Sequence, residues 1–239
     1  MITSTDNEKL KLVRKLADRR HRDREGLFVT EGEDLLEAGL RAGREPRFAL
    51  TAPGSGLDGE EVEPDLLAAV SALGSGTRVI AVWPQRWGKP AGPVCVYLHG
   101  VGDPGNVGTV VRSAHALVEG SVVVGPGCAD PHSPKAVRAS MGSIFGPDLA
   151  RGGVGETPVP RVGLVAHGGS APIAAPPPMT LCLGGEREGL PAEVLEACDE
   201  AWTIPLRAGG AESLNVAAAA AIALQRISSA AAEGGGPRE

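Results

Sequence analysis

Apolar residues follow two rhythms along this chain: short continuous runs, and longer stretches in which they recur every three or four positions, as in buried strands and amphipathic helices respectively. Leu10, Val13, Leu16 and Ala17 share one helical face, so the opening segment predicts a single amphipathic helix. Apolar runs at 27–30, 47–50 and 79–82 predict strands, and the spacing within 33–42 and 64–73 predicts helices between them. Residues 84–93, rich in Pro, Gly and Trp, break both rhythms in the manner of a linker. Beyond them, runs at 94–98, 121–124, 162–166, 180–183 and 201–204 alternate with helical stretches, which predicts a mostly parallel sheet with helices on both faces. The chain is therefore expected to be α/β throughout: a small α/β domain over 1–85, a linker over 86–93 and a larger domain over 94–239. Within the latter, 168–178 predicts a surface loop. Glu212 or Ser213 is placed to cap a last helix over 216–227, and 230–239 predicts a frayed end.

Composition narrows the picture. Of 239 residues only 3% are aromatic while 42% are hydrophobic, so the core must be built from Val, Leu, Ile and Ala, as in parallel strands covered on both faces. No apolar run reaches the roughly 18 residues of a membrane span, and the N-terminus is charged, which predicts a cytoplasmic protein with no membrane partner. The four cysteines are scattered, with no CxxC or HExxH spacing, and predict reduced core thiols and no metal. A net charge of −6 argues against unselective nucleic-acid binding, yet residues 1–24 carry eight Lys/Arg against four Asp/Glu, an excess of +4 that leaves −10 for the remainder. Lys9, Lys11, Arg14, Lys15, Arg19, Arg20, Arg22 and Arg24 form this cluster. It suits RNA phosphates or a solvated helix face, and charge alone does not separate the two.

Gly100, Gly102 and Gly105 form a GxGxxG string between a predicted strand and a predicted helix, the setting of a dinucleotide-binding loop. Two features speak against a nicotinamide cofactor. The next strand ends in Gly125-Pro126-Gly127, where an acidic ribose ligand belongs, and the nearest acid, Asp130, lies in the loop beyond. Pro104 also removes a main-chain N–H from the loop that would cradle a pyrophosphate. Turn-forming glycines explain the string more simply, with Asn106 capping a helix whose apolar face is Val107, Val110, Val111 and Ala114.

Three segments are not accounted for by packing: DPGNVGTVVR at 103–112, LGGEREGL at 183–190, and IPL at 204–206 followed by ESLNV at 212–216. Each puts glycines and polar side chains at the end of a predicted strand, where parallel sheets bind ligands. In order and spacing, over residues 94–228, they resemble the three motifs of the SpoU/TrmH family of knotted RNA 2′-O-ribose methyltransferases. Asn106 and Arg112 stand in the first motif, Gly185, Glu186 and Gly189 in the second, and Ile204, Pro205, Ser213, Leu214 and Asn215 in the third. HSPKAVRASMGSIF at 132–145 also resembles the family. Residues 1–85, above all EGLFVTEGE at 25–33, resemble the ribosomal-protein-L30e-like substrate-binding domain that precedes some members.

This resemblance implies a deep trefoil knot near the C-terminus, a homodimer whose site draws on both copies, S-adenosylmethionine as methyl donor, and RNA as substrate, ribosomal RNA in preference to tRNA. It implies a catalytic set of Arg112, Asn106, Glu186, Ser213 and Asn215. For the cofactor, Gly184 and Gly185 would let main chain approach closely, while Ile204, Leu206, Ser213 and Leu214 would supply walls and polar contacts. Deprotonating an arginine at pH 7 costs about 9 kcal/mol, so anchoring phosphate and stabilising a developing alkoxide suit Arg112 better than acting as the base. Arg14, Arg19 and Arg20, with Lys135 and Arg138 further on, are the candidate RNA phosphate contacts. Arg207, in the loop within the third motif, faces either the target nucleotide or solvent. The competing expectation is a catalytically silent RNA-binding module of the same fold, against which the intact Asn106, Arg112, Glu186, Ser213 and Asn215 speak.

Overall fold

The computed structural model describes residues 1–74, 76–172 and 177–234. In chain order the helices are α1 (Glu8–Lys15), α2 (Arg19–Glu25), α3 (Glu33–Arg41), α4 (Pro64–Val70), α5 (Pro104–Leu117), α6 (Pro134–Ser140), α7 (Ala192–Glu196) and α8 (Val216–Gly234). The strands are β1 (Leu27–Glu31), β2 (Phe48–Thr51), β3 (Glu60–Glu61), β4 (Val79–Pro84), β5 (Val94–His99), β6 (Val122–Val124), β7 (Leu149–Arg151), β8 (Arg161–Leu164), β9 (Met179–Gly184) and β10 (Glu200–Trp202). They fall into two compact units, residues 1–85 with 132–146, and residues 86–131 with 147–239.

The first unit is built on a four-stranded sheet in the order β1-β4-β2-β3, with β4 antiparallel to both neighbours and β3 parallel to β2. Leu10, Val13 and Leu16 bury against Leu27, Leu50, Ile80 and Val82 of the sheet, an aliphatic core of the kind the composition demands. The N-terminal segment is two helices rather than the single one its apolar spacing predicts. The Asp18 carboxylate accepts a hydrogen bond from the Arg20 amide and starts α2 afresh, while α1 ends at Leu16. Ala17, expected on the buried face, is exposed at this break. Arg22 also departs from expectation. It is only 3% exposed, and its Nη1 donates to the carbonyls of Leu16 and Ala17, both at 2.8 Å. A guanidinium spent on the free carbonyls of a helix end is a structural group, which removes Arg22 from the basic RNA-facing cluster.

Residues 132–146, assigned by linear order to the larger domain, cluster instead with the first unit. α6 packs against β1, and the His132 ring lies 4.7 Å from that of Phe28, as does Phe145 from Trp83. These scarce aromatics gather in one place, so each side chain stabilises the packing of two sequence-distant segments.

The second unit carries a six-stranded sheet, parallel throughout, in the order β10-β8-β9-β5-β6-β7. Residues 94–98 of β5 and 179–183 of β9 are buried without interruption, the pattern of central parallel strands covered on both faces. α5 and α8 pack on one another. β7 and the two-residue β3 are too short to leave a periodic signal. The segment read as a linker is fastened to the sheet edge. The Gly88 amide donates to the Leu149 carbonyl at 2.7 Å, Arg151 stacks on Trp87 at 4.1 Å, and the Ser121 hydroxyl accepts from the Ala91 amide at 2.9 Å. In the expected loop 168–178, Ser170 pairs with Trp202, and 173–176 lie outside the described residues. The end expected to fray is helical through Gly234, and 235–239 lie outside the described residues. Among the described residues no helix is long and apolar enough to cross a membrane.

Candidate functional site

The loops at the carboxyl ends of β8 and β9, together with residues 204–219, enclose a cavity of about 590 Å³ in the second unit. This is where a parallel sheet leaves main-chain groups and loop residues free to meet a ligand, and the volume suits a nucleoside-sized molecule. Gly184, Gly185, Ile204, Leu206, Ser213 and Leu214, the six residues expected at a cofactor, all line it, and so does Glu186. Leu164, Leu183 and Leu190 supply further apolar wall. Leu164 to His167, at the end of β8, belong to the lining but were not singled out from sequence. Their signal was positional only, as a run at a strand's carboxyl end without a distinctive residue.

Asn106, Asn215 and Arg112 lie outside that lining, and two of them bind its walls together. Asn215 Oδ1 accepts from the Ala217 amide at 2.9 Å and the Ala218 amide at 3.4 Å, so its Nδ2 is left to donate to Asn106 Oδ1 at 3.1 Å. Asn106 Nδ2 in turn donates to Glu186 Oε1 at 2.5 Å. Helix amides can only donate, which fixes each amide's orientation in sequence and ends the chain on a carboxylate that must accept. One polar chain thus joins the three sequence segments that packing does not explain. It also corrects two assignments. α5 is capped by Asp103, whose Oδ1 accepts from the Asn106 amide at 3.0 Å, not by Asn106; α8 is capped by Asn215, not by Glu212 or Ser213.

The Asp103 cap also bears on the GxGxxG string. The Asp103 carboxylate occupies the amino end of α5 and takes the Asn106 amide, and Pro104 at its first position offers no N–H, so this end is poorly suited to a pyrophosphate. The need for glycine at 184 and 185 proves to be internal. A Cβ on Gly184 would collide with main chain of Gly189 and Leu190, and one on Gly185 would lie 2.5 Å from the Gly100 carbonyl oxygen. These glycines let the β9 loop fold back on itself and on the β5 loop, where close approach to a ligand was the expectation.

Arg112 is exposed on α5 and makes no hydrogen bond or ion pair among the described residues. The five candidate RNA contacts all belong to the first unit. Arg14 donates to the Thr5 carbonyl at 3.2 Å and Arg19 pairs with Asp23 at 3.6 Å, while Arg20, Lys135 and Arg138 are exposed on α2 and α6. Cys95, Cys128 and Cys182 are buried thiols, and burial pushes Cys95 up to about 11, which keeps it protonated and unreactive at neutral pH. Among the described residues no three His, Cys, Asp or Glu side chains are placed to hold a metal ion.

Comparison with known proteins returns two family matches. The SpoU rRNA Methylase family matches residues 93–153 and 161–225, just over half the chain, and the MRM3-like substrate binding domain matches residues 7–85. The 23S rRNA (guanosine(2553)-2'-O)-methyltransferase RlmP of Bacillus subtilis is 30% identical, over 95% of this chain and 98% of its own. Among solved structures, the SpoU methyltransferase AviRb from Streptomyces viridochromogenes, in complex with AdoMet, superposes with a TM-score of 0.84 at 26% identity, covering 97% of this chain and 100% of that one. An AdoMet-bound rRNA methyltransferase from Sinorhizobium meliloti gives 0.83 at 28% identity, over 95% and 96%.

Proposed function

This chain belongs to the SpoU rRNA methylase family, and from that premise we propose that it is a cytoplasmic enzyme methylating the ribose 2′-OH of ribosomal RNA, with S-adenosylmethionine held in the β8–β9 cavity. The observation that carries this reading is the convergence of all six expected cofactor residues on one cavity at the carboxyl edge of a parallel sheet. The cavity suits the cofactor chemically: Leu164, Leu183, Ile204 and Leu206 offer an apolar slot for adenine, and Glu186, Glu188 and Glu212 offer negative charge to a cation. When bound, S-adenosylmethionine supplies an electrophilic methyl group. Arg112 anchors an RNA phosphate and stabilises the alkoxide that develops as the 2′-OH gives up its proton. Ser213 contributes a hydroxyl to the cavity wall, while Asn106, Asn215 and Glu186 hold the walls in register.

The reading extends to a knotted homodimer. Its support here is that Arg112 lies outside the cavity lining of its own chain, as expected where a second copy completes the site. Ribosomal RNA is preferred to tRNA because of the MRM3-like front domain and the 23S rRNA substrate in the name of the Bacillus relative. A silent scaffold has no need of an intact cavity or of the chain joining Asn215, Asn106 and Glu186. The deciding experiment is transfer of labelled methyl from S-adenosylmethionine to ribosomal RNA lacking the modification, followed by nucleoside analysis. A 2′-O-methylated nucleoside is expected; labelled base with unmodified ribose would overturn the chemistry.

Two further results are expected. Asn106→Ala breaks both bonds of the chain and should weaken S-adenosylmethionine binding by about tenfold, the loss of one charge-assisted hydrogen bond, although Asn106 lines no part of the cavity. Unchanged affinity by calorimetry would show that the walls hold without it. For RNA, charge reversal is a cleaner test than deleting residues 1–85, because deletion would strip Phe28 and Trp83 from His132 and Phe145. Arg19→Glu with Arg20→Glu, and separately Lys135→Glu with Arg138→Glu, should lower RNA affinity and flatten its salt dependence while sparing cofactor binding. Filter binding across a salt series reads both.

A further inference from the structure

The charged side chains along the cavity are unbalanced. Among the described residues, Glu186, Glu188 and Glu212 face it with Arg187 as the one guanidinium in its lining and with no lysine. Glu186 is committed to Asn106, whereas Glu188 and Glu212 are exposed carboxylates with no such engagement among the described residues. The cavity's partner changes charge during the reaction. Methyl transfer leaves the S–CH3 bonding pair on sulfur, so a cationic sulfonium becomes a neutral thioether, while the ammonium and carboxylate at the far end of the molecule are the same before and after.

We propose that Glu188 and Glu212 make this cavity selective for the charged methyl donor over its neutral demethylated product. The proposal rests on the cavity being the S-adenosylmethionine site. Because ammonium and carboxylate are common to donor and product, the ratio of the two affinities reports the methyl group and the sulfonium charge, and its salt dependence reports the charge. Exposed carboxylates act on it through solvent, so the effect is modest per charge and falls with added salt. Its consequence is kinetic as well as thermodynamic: the spent cofactor loses its attraction to the rim at the moment the methyl leaves, and product exchange is favoured without any change of fold.

The test is calorimetric titration of the full chain with S-adenosylmethionine, with S-adenosylhomocysteine, and with an analogue bearing an ammonium group in place of the sulfonium. Wild type is compared with Glu188→Gln, Glu212→Gln and the double variant, at low and high salt. Each substitution is expected to weaken the two cationic ligands by about two- to fivefold and to leave S-adenosylhomocysteine within about twofold. In wild type the donor-to-product ratio should shrink with salt; in the double variant it should be smaller and nearly salt-independent. Parallel weakening of all three ligands, or a wild-type ratio indifferent to salt, would overturn the proposal. Failure of wild type to bind any of the three would instead remove the cofactor assignment, and the proposal with it.

Discussion

Arg112→Ala is expected to lower methyl transfer by about a thousandfold while leaving the dissociation constant for S-adenosylmethionine within about threefold. The separation follows from position. Arg112 lies on α5, outside the lining of the cavity, so its removal takes nothing from cofactor contacts. In the role proposed for Arg112, what is lost is a forked, permanently charged donor for phosphate and for the developing alkoxide, and lysine restores the charge without the fork, so Arg112→Lys should recover only part of the rate. Single-turnover transfer to RNA, paired with calorimetry, reads the two quantities independently; wild-type turnover by the alanine variant would take the residue out of the reaction. The dimer adds a second arm. If Arg112 serves the cavity of a neighbouring copy, mixing Arg112→Ala with a variant unable to bind cofactor should restore activity that neither possesses alone, since each mixed pair holds one complete site.

The second large effect is structural. Gly184→Ala is expected to abolish cofactor binding and to destabilise the protein by about 2 kcal/mol, because its Cβ would meet main chain of Gly189 and Leu190, which no rotamer change can clear. Opening the loop to admit that methyl moves Gly185 and Glu186, and with Glu186 goes its bond from Asn106. The control is Gly102→Ala. That glycine has open space where a Cβ would go, so thermal melting and cofactor affinity should be nearly those of wild type. A dinucleotide-binding loop would demand the opposite order of sensitivity, since there the middle glycine of GxGxxG admits the pyrophosphate. A Gly184→Ala protein that binds cofactor normally would mean the β9 loop has slack that its close contacts do not suggest.

Much of the architecture was legible because parallel strands covered on both faces leave unbroken apolar runs, and β5 and β9 stand where Val94 to Leu98 and Thr180 to Leu183 predicted them. The errors share a cause: local rules see only neighbours. Apolar spacing runs straight through Ala17 and Asp18, so nothing periodic announced that Asp18 would start a new helix. Arg22 looked like one more surface cation because its partners are main-chain carbonyls, which leave no trace in sequence. Ser213 and Asn215 are comparable caps by residue type, and Asn215 takes the post: its Oδ1 accepts from the Ala217 and Ala218 amides while its Nδ2 reaches Asn106, a residue 109 positions away. Membership of residues 132–146 in the first unit depends on Phe28 and Trp83, which are also distant in sequence. For the site, the resemblance of three motifs to a known family implied six residues that line the cavity, and left out Leu164 to His167. Which of the implied residues touch ligand space and which hold others in place emerged only from geometry.

The fastening of Trp87 and Gly88 along β7 has a consequence for how the molecule keeps to itself. An outermost parallel strand presents a row of unpaired amides and carbonyls on which any passing extended chain can assemble. Here the Gly88 amide already occupies the Leu149 carbonyl, and the Trp87 ring lies over the Arg151 guanidinium beside it. What reads in sequence as a spacer is a selvedge: it finishes the sheet's open margin, so that growth by strand addition stops within the protein's own chain.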